Sequence, residues 1–393
     1  MRVLISGSSG LVGTAITRLL TENGHTVSRL LRHKSRVRTV EVPPVDERPI
    51  EPLQIEVPPV DSNSVDSPAI EEHAEEILDA PIEEIVKEPV EDQVETPVEE
   101  QTEQLAATPV EVAAEVAVQK SIENETLAPA PRDVRWDPAT NEFDVQAAEG
   151  ADAVVHLAGA SIGGGRWTYA RKTLLRSSRV EATRHLVDSL RTLSAKPKVF
   201  IGVSAVGYYG SRGDEKLTDH SGPGSDFLAQ ICKDWERESN RAAEFGARVV
   251  ILRFGIVLST HGGALPRMLT PIKMFVGGKL GSGQQWMSWI SLDDVAGIIR
   301  FALENETVRG PINTVSPYPI RNVDFTKKAA RAVHRPAIFP APAFALRLAL
   351  GEMADGLLLS SQRALPEKLQ TLGYKFQDSD LGFTLARLIS ERK

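Results

Sequence analysis

The chain has 393 residues, 41% of them apolar and 25% charged, with one cysteine and a formal net charge of −8. The single Cys232 excludes a disulfide scaffold and a cysteine-rich zinc site, and no apolar run approaches the roughly 18–20 residues that span a bilayer. The charge is uneven: residues 38–131 hold 25 acidic and 4 basic residues, net −21, which leaves 28 acids against 41 bases, net +13, on the other 299.

The sequence opens on a strand pattern, Val3-Leu4-Ile5, with no signal-peptide pattern before it, so a cytoplasmic location is expected. The run Gly7-Ser8-Ser9-Gly10-Leu11-Val12-Gly13 follows, and Leu11, Ala15, Leu19 and Leu20 then recur at helical spacing. Gly24 is placed to end that helix, and Thr26–Leu31 is a second strand. Strand, glycine turn and helix in this order read as a phosphate-binding turn; the alternative is a glycine-rich surface turn. Gly7 allows the tight turn, Gly10 lets backbone approach a pyrophosphate, and Gly13 lets the helix pack against the sheet. Gly7, Ser9, Gly10, Leu11, Val12 and Gly13 are therefore candidate cofactor-binding residues.

The end of the second strand bears on the choice of cofactor. An NAD binder places an acid there, on the ribose hydroxyl. Here Leu31 is followed by Arg32, 19 residues after Gly13, and by His33, Lys34 and Arg36. A carboxylate would repel a 2′-phosphate, whereas a guanidinium grips it with two hydrogen bonds. NADP(H) is expected over NAD(H); the alternative is a solvated basic loop.

Residues 38–131 contain 13 of the 25 prolines and neither glycine nor aromatic residues. Glu41-Val42-Pro43-Pro44-Val45-Asp46 recurs as Glu56-Val57-Pro58-Pro59-Val60-Asp61, and Pro-Val/Ile-Glu recurs from Pro49 to Pro109. Such a segment cannot bury enough apolar area to offset its ordering entropy, so an extended, disordered acidic insertion is expected. A short helix around Ile70–Val86 is compatible with the pattern. The insertion is read as a passive tether or a protein-docking segment, or as a chain that folds back to compete with anionic ligands.

Beyond Asp133-Val134-Arg135-Trp136 the pattern alternates. Strands are expected at Ala153–Leu157, Val199–Val203 and Val249–Leu252, with helices over Trp167–Leu193 and Phe227–Phe245. Alternation of this kind predicts an α/β fold, a doubly wound parallel sheet of Rossmann type with helices on both faces. The expected organisation is a Rossmann domain of residues 1–37 and 132–310, the insertion 38–131, and a small, mostly helical C-terminal lobe of residues 311–393.

Further runs are His156-Leu-Ala-Gly159, Arg166-Trp167, Ser178-Arg179, Ser204-Ala-Val-Gly-Tyr-Tyr-Gly210, Asp234-Trp-Glu236, Trp289-Ile-Ser-Leu-Asp-Asp-Val295 and Val315-Ser-Pro-Tyr-Pro319. With the glycine turn, they make the chain resemble the extended short-chain dehydrogenases/reductases. More closely it resembles their atypical branch of NAD(P)-dependent epimerase family proteins, called cell-division-inhibitor-like, over 1–32 and about 133–393. The resemblance implies that Leu157, Ala158 and Gly159 pass the cofactor ribose and that Val257 lies near the nicotinamide amide. It also implies that Asp137 either reaches the adenine or makes a plain turn. Arg179 stands where an asparagine is common, as a phosphate- or substrate-binding cation or as a helix-surface charge.

The resemblance breaks at the catalytic helix. The superfamily pairs Ser or Thr with Tyr-x-x-x-Lys, in which Lys supports a proton-transferring Tyr. Ser204 fills the first position, but Leu228 and Cys232 fall at Tyr and Lys, or Ala229 and Lys233 in a register shifted by one, so the Tyr is absent in either. Tyr208 and Tyr209 follow Ser204 and either substitute for the missing acid/base, with Lys233 or an arginine nearby, or pack and bind substrate. Ser204 and Tyr208 are the candidate catalytic residues. His156 is expected inside its strand and Cys232 buried in its helix. A second anionic ligand is suggested by Arg166, Trp167, Lys172, Arg176 and Arg179 with Trp286, Trp289 and Tyr318; ordinary surface charge and core aromatics are the alternative. Asp293 and Asp294 follow Ser291 as N-terminal helix acids, so no metal is expected. Neither a nucleic-acid nor a membrane partner is expected. The leading function is an NADP(H)-binding, epimerase-like oxidoreductase acting on a small anionic substrate, either nucleotide-linked or free. The rival is a non-catalytic NADP(H)-binding redox sensor or regulator.

Overall fold

In the computed structural model, which describes residues 1–31 and 132–391, Val3, Leu4 and Ile5 are all completely buried. Such a run suits a strand covered on both faces. It forms β1 (Arg2–Ser6), which hydrogen-bonds in parallel to β2 (Thr26–Leu31) and to β5 (Ala153–His156). The other strands are β3 (Arg132–Asp137), β4 (Glu142–Phe143), β6 (Val199–Ala205), β7 (Arg248–Phe254) and β8 (Gly310–Thr314). Their order is β8-β7-β6-β5-β1-β2-β3-β4, parallel throughout except for the edge strand β4. The strand order reverses between β1 and β5, which opens a crevice at their carboxyl ends.

Period two decides which side chain meets which helix layer. Val3 and Ile5 join the core under α1 (Leu11–Glu22) and α6 (Leu292–Glu304), with Ile16, Leu20, Ile298 and Ile299. Leu4 joins the opposite core with Leu186, Val187 and Leu190 of α3 (Val180–Arg191). Each completely buried Leu or Ile contributes roughly 1.5–3 kcal/mol.

The acidic insertion, Arg32 and the helix expected around 70–86 lie outside the described residues. Its flanks are placed: Ser28 pairs with Arg132 and Leu31 with Arg135, so β2 and β3 are sheet neighbours.

Two expectations change in detail. The helix expected over Trp167–Leu193 divides into α2 (Tyr169–Ser177), capped by Thr168, and α3. Side chains at the break bond to the preceding loop: Ser178 Oγ accepts from Ala160 N at 3.1 Å and Arg179 donates to Ala160 O at 2.9 Å. The helix expected over Phe227–Phe245 runs as α4 (Phe227–Asn240) and tightens into a 3₁₀ turn that ends at Gly246, φ +89°.

β8 is the sheet edge and crosses the boundary expected at residue 311. A separate apolar cluster centred on Trp289, Phe325, Leu265 and Leu385 joins α5 (Ala264–Lys273), α7 (Asn322–Ala332) and α9 (Leu381–Ser390). A further helix, α8 (Ala343–Leu350), has no buried residue. Among the described residues no helix is long and apolar enough to cross a membrane.

Candidate functional site

At the crevice, β1 ends at Ser6 and α1 starts at Leu11, with no side-chain cap and no acid in its first turn. Its N–H groups and positive dipole end are left for an anion. Gly7 has φ +72°, and a Cβ there would lie 3.0 Å from the backbone of Leu157 and Ala158. A Cβ at Gly13 would stand 2.1 Å from Gly7 O. The turn, the loop after β5 and α1 thus touch backbone to backbone. Leu11 packs near Gly263, whose Cβ would lie 3.1 Å from Leu11 Cδ2, and Val257 is paired in register with Ile290 beside it. Ser9 and Gly10 are exposed on the turn, while Leu31, Leu157, Ala158 and Val257 are half-buried and Gly159 is exposed. The Ser8 hydroxyl is buried with no hydrogen-bond partner. A dinucleotide pyrophosphate would supply an acceptor, so these residues fit the cofactor expected for the fold.

One buried side chain locks this geometry. Thr183 Oγ1 donates to Arg179 O at 2.6 Å, so it accepts from His156 Nε2 at 2.9 Å. His156 Nδ1 is then an acceptor, 2.6 Å from the Ser6 hydroxyl, whose oxygen accepts from Leu157 N at 3.1 Å and Ala158 N at 3.3 Å. Burial pulls the His156 pKa down to about 4. Unfolding returns it to roughly 6.5, so on acidification the unfolded chain takes up the proton first. Stability is complete above that value and falls as the pH drops toward 4. Urea unfolding should show a loss of about 2 kcal/mol between pH 7 and pH 5 from this group, and His156→Gln should flatten that slope. An unchanged slope would assign the acid sensitivity to other groups.

Arg179 lies under Gly159 and serves the loop. It donates to Ala160 O at 2.9 Å and to Leu175 O at 3.2 Å, and its guanidinium sits 5.3 Å from the Trp235 ring. Asp137 makes a turn, accepting from Ala139 N at 2.9 Å.

A polar cluster lies behind the turn that follows β6. Glu236 of α4 and Arg253 of β7 form a buried two-point ion pair, Nε–Oε1 2.9 Å and Nη2–Oε2 2.8 Å. Ser204 is buried and donates to Glu236 Oε1 at 2.7 Å, so its hydroxyl is held inside the cluster. Arg253 Nη1 donates to Tyr209 Oη at 2.9 Å, and that hydroxyl is 2.6 Å from Asn313 Oδ1. Burial pushes the Tyr209 phenol up to about 12, which suits a structural donor. The Arg253 guanidinium also stacks 3.6 Å from the centre of the half-buried Tyr208 ring and fixes its orientation.

The structure selects Arg253 as the cation beside these tyrosines, because Lys233 is on the exposed face of α4. Leu228 and Cys232 are buried, and burial raises the Cys232 thiol to about 11, far from a reactive thiolate. Glu236 was quoted only within the run Asp234-Trp-Glu236, and Arg253 was given no role. Their signal was a lone arginine in the otherwise apolar run Val249–Phe254.

The expected second-ligand residues are distributed among separate contacts. Lys172 pairs with Glu352, and Arg176 with Asp234. Trp167 is buried, with its indole N–H on Ile162 O. Trp286 lies between Arg321 and Arg363, at 4.6 and 4.4 Å, and Trp289 is completely buried. Tyr318 is exposed. Asp294 is buried and accepts from the backbone of Gln377 and Asp378, while Asp293 pairs with Arg387 at 2.8 Å. Among the described residues no cluster of three or more His, Cys, Asp or Glu is arranged to hold a metal.

Crevice, glycine turn and free helix terminus define a Rossmann fold of the dinucleotide-binding kind. The family model for NAD dependent epimerase/dehydratases matches residues 103–315, and that of a domain of unknown function, DUF1731, matches 341–388. The chain belongs to the NAD dependent epimerase/dehydratase family. An epimerase family protein of Mycobacterium leprae is 40% identical over 254 residues, 65% of this chain and 82% of the relative. The epimerase family protein YfhF of Bacillus subtilis is 43% identical over 62% of this chain and 79% of its own length. The human epimerase family protein SDR39U1, solved with NADPH, shares the fold with a TM-score of 0.69 and 24% identity over 99% of both chains. A nucleoside-diphosphate sugar epimerase of Corynebacterium glutamicum has a TM-score of 0.62 and 30% identity, over 100% of this chain and 58% of that one.

Proposed function

We propose that this chain is a cytoplasmic NADP(H)-dependent, epimerase-like oxidoreductase acting on a small anionic substrate, with nucleotide-linked sugars the first class to test. The observation that carries this reading is the glycine cradle at the switch point, where neither Gly7 nor Gly13 has room for a Cβ. Gly7, Ser9, Gly10, Leu11, Val12 and Gly13 would hold the pyrophosphate, and Leu31 and Arg32 the adenosine ribose and its 2′-phosphate. Leu157, Ala158, Gly159 and Val257 would line the path to the nicotinamide. The basic run from Arg32 and the NADPH of the human structure support the phosphorylated cofactor. When bound, that cofactor supplies a hydride donor or acceptor.

The chain's own part is positioning and proton transfer. Arg253 orients the Tyr208 ring, and Tyr208 Oη moves the proton. Ser204 and Glu236 hold Arg253 in place from behind. A second reading, a non-catalytic NADP(H)-binding regulator, is favoured by Leu228 and Cys232 at the dyad positions and by the internal bonding of Ser204. The acidic insertion is the candidate protein-docking segment under either reading.

Titration of NADPH and NADH, followed by turnover against carbonyl and nucleotide-sugar substrates, separates the readings. Arg32→Glu should weaken NADPH by at least about tenfold and leave NADH nearly unchanged. Equal losses would sink the phosphate clamp. Tyr208→Phe should lower kcat by about 100-fold or more with NADPH affinity retained. Tight NADPH binding with no turnover across the panel would decide for the regulator.

A further inference from the structure

Residues 264–281 and 325–349 contain eight lysines and arginines and no aspartate or glutamate. The fold lays these two stretches side by side. Phe339 N donates to Gly277 O at 3.1 Å, Ala341 N to Lys279 O at 2.9 Å and Gly281 N to Ala341 O at 2.8 Å. Arg335 lies 5.1 Å from the centre of the Phe275 ring. The region is therefore one surface.

Large apolar side chains stand outward on it. Met274, Phe275 and Val276 follow α5, and Ile338 and Phe339 precede α8. On α8, Phe344 and Leu348 are 73% and 78% exposed and share one face at i, i+4 spacing. Phe275 holds this outward position at φ +61°, a left-handed backbone that is unfavourable for a bulky residue. Beside them an open cavity is lined by Lys327, Arg331, His334 and Arg335, with Pro336 and Ala337. Lys327, Lys328 and Arg347 pair with Asp324, Asp380 and Asp355 at 3.7, 3.5 and 2.9 Å, but Arg331 and Arg335 have no carboxylate within ion-pair distance among the described residues.

A contiguous apolar surface rimmed by charge marks an interaction site. A second copy across a two-fold axis would set these cations against an identical set, which repels. A layer with anionic headgroups above and acyl chains below meets both features at once. Such a fluid layer also conforms to apolar groups presented by three separate chain segments.

We propose that this face docks the protein on an anionic phospholipid membrane. Arg331, Arg335 and Lys327 sit against headgroup phosphates, and Phe339, Phe344 and Leu348 enter the acyl boundary. The lack of a spanning run, on which the expectation of no membrane partner rested, does not bear on a peripheral face.

The test is co-sedimentation of the full-length chain with phosphatidylcholine vesicles, plain or carrying about a third phosphatidylglycerol. Binding is expected on the anionic vesicles alone, and it should weaken at least about tenfold between roughly 0.05 and 0.5 M salt. Arg331→Glu with Arg335→Glu should cut it at least about tenfold, and so should Phe344→Ser with Leu348→Ser. All four positions are exposed, so thermal melting of both variants should match the wild type. No binding to anionic vesicles, or full binding by either double variant, overturns the proposal. Sedimentation velocity supplies the remaining outcome. Self-association abolished by Phe344→Ser with Leu348→Ser would assign the face to a second copy and overturn it too.

Discussion

Gly13→Val should abolish dinucleotide binding and leave a weakened fold. A Cβ at this position would stand 2.1 Å from Gly7 O and 2.6 Å from Ser8 Cα, and neither backbone atom can swing aside. Relief requires α1 to lift from the turn, which carries its free N–H groups away from the phosphates. NADPH affinity, read by calorimetry, should fall at least about 100-fold, near 3 kcal/mol. Overpacking beneath Ile16 and Leu20 should cost a further 1–3 kcal/mol or so of unfolding free energy. Gly24→Ala is the control. Gly24 has φ +75° but open space around it, so the change should cost about 1 kcal/mol of stability and leave NADPH affinity untouched. Wild-type affinity in Gly13→Val would refute the assignment of this turn.

Arg253→Ala should be the most destabilising single change in the polar cluster, by about 3–5 kcal/mol in denaturant unfolding. It leaves the buried Glu236 carboxylate without its cation and Tyr209 without a donor. Replacing both partners, Arg253→Met with Glu236→Leu, should recover most of the lost stability, because the uncompensated charge disappears with its partner. The double variant would still lack the cation stacked on Tyr208, so under the proposed function its turnover stays low while its fold returns. A cost below about 1 kcal/mol for Arg253→Ala would mean that the pair is solvated rather than buried.

Much of the glycine turn was legible because its geometry is local. Gly7, Gly10 and Gly13 lie within one turn and one helix start, and what they meet is largely their own backbone. The strands were legible for a similar reason, since runs such as Val3-Leu4-Ile5 and Val199–Val203 suit a sheet buried on both faces. The division of Trp167–Leu193 into α2 and α3 was not, because the bonds at the break run from Ser178 and Arg179 to Ala160, a residue of a different segment. The contacts of Arg179 were not legible for the same reason. Its guanidinium reaches the carbonyls of Leu175 and Ala160, partners that no local pattern names.

The polar cluster around Arg253 shows where local reading stops. Ser204 and Tyr208 were visible as polar residues after a strand, but their surroundings come from α4, β7 and β8, up to about a hundred positions further on (Tyr209 to Asn313, separated by 104). Whether a serine hydroxyl faces a cleft or a buried carboxylate depends on those long-range neighbours.

The sequence by itself determined the parallel Rossmann sheet, the glycine turn that opens α1 and the opposite charges of the body and the insertion, because glycine spacing, apolar period and composition act within a few residues. Only the tertiary structure decided that Ser204 bonds to Glu236, that Arg253 rather than Lys233 stacks on Tyr208, and that the basic and apolar residues around α8 share one surface. Those are contacts between segments far apart in the chain, and side-chain direction, which no local pattern encodes, settles them.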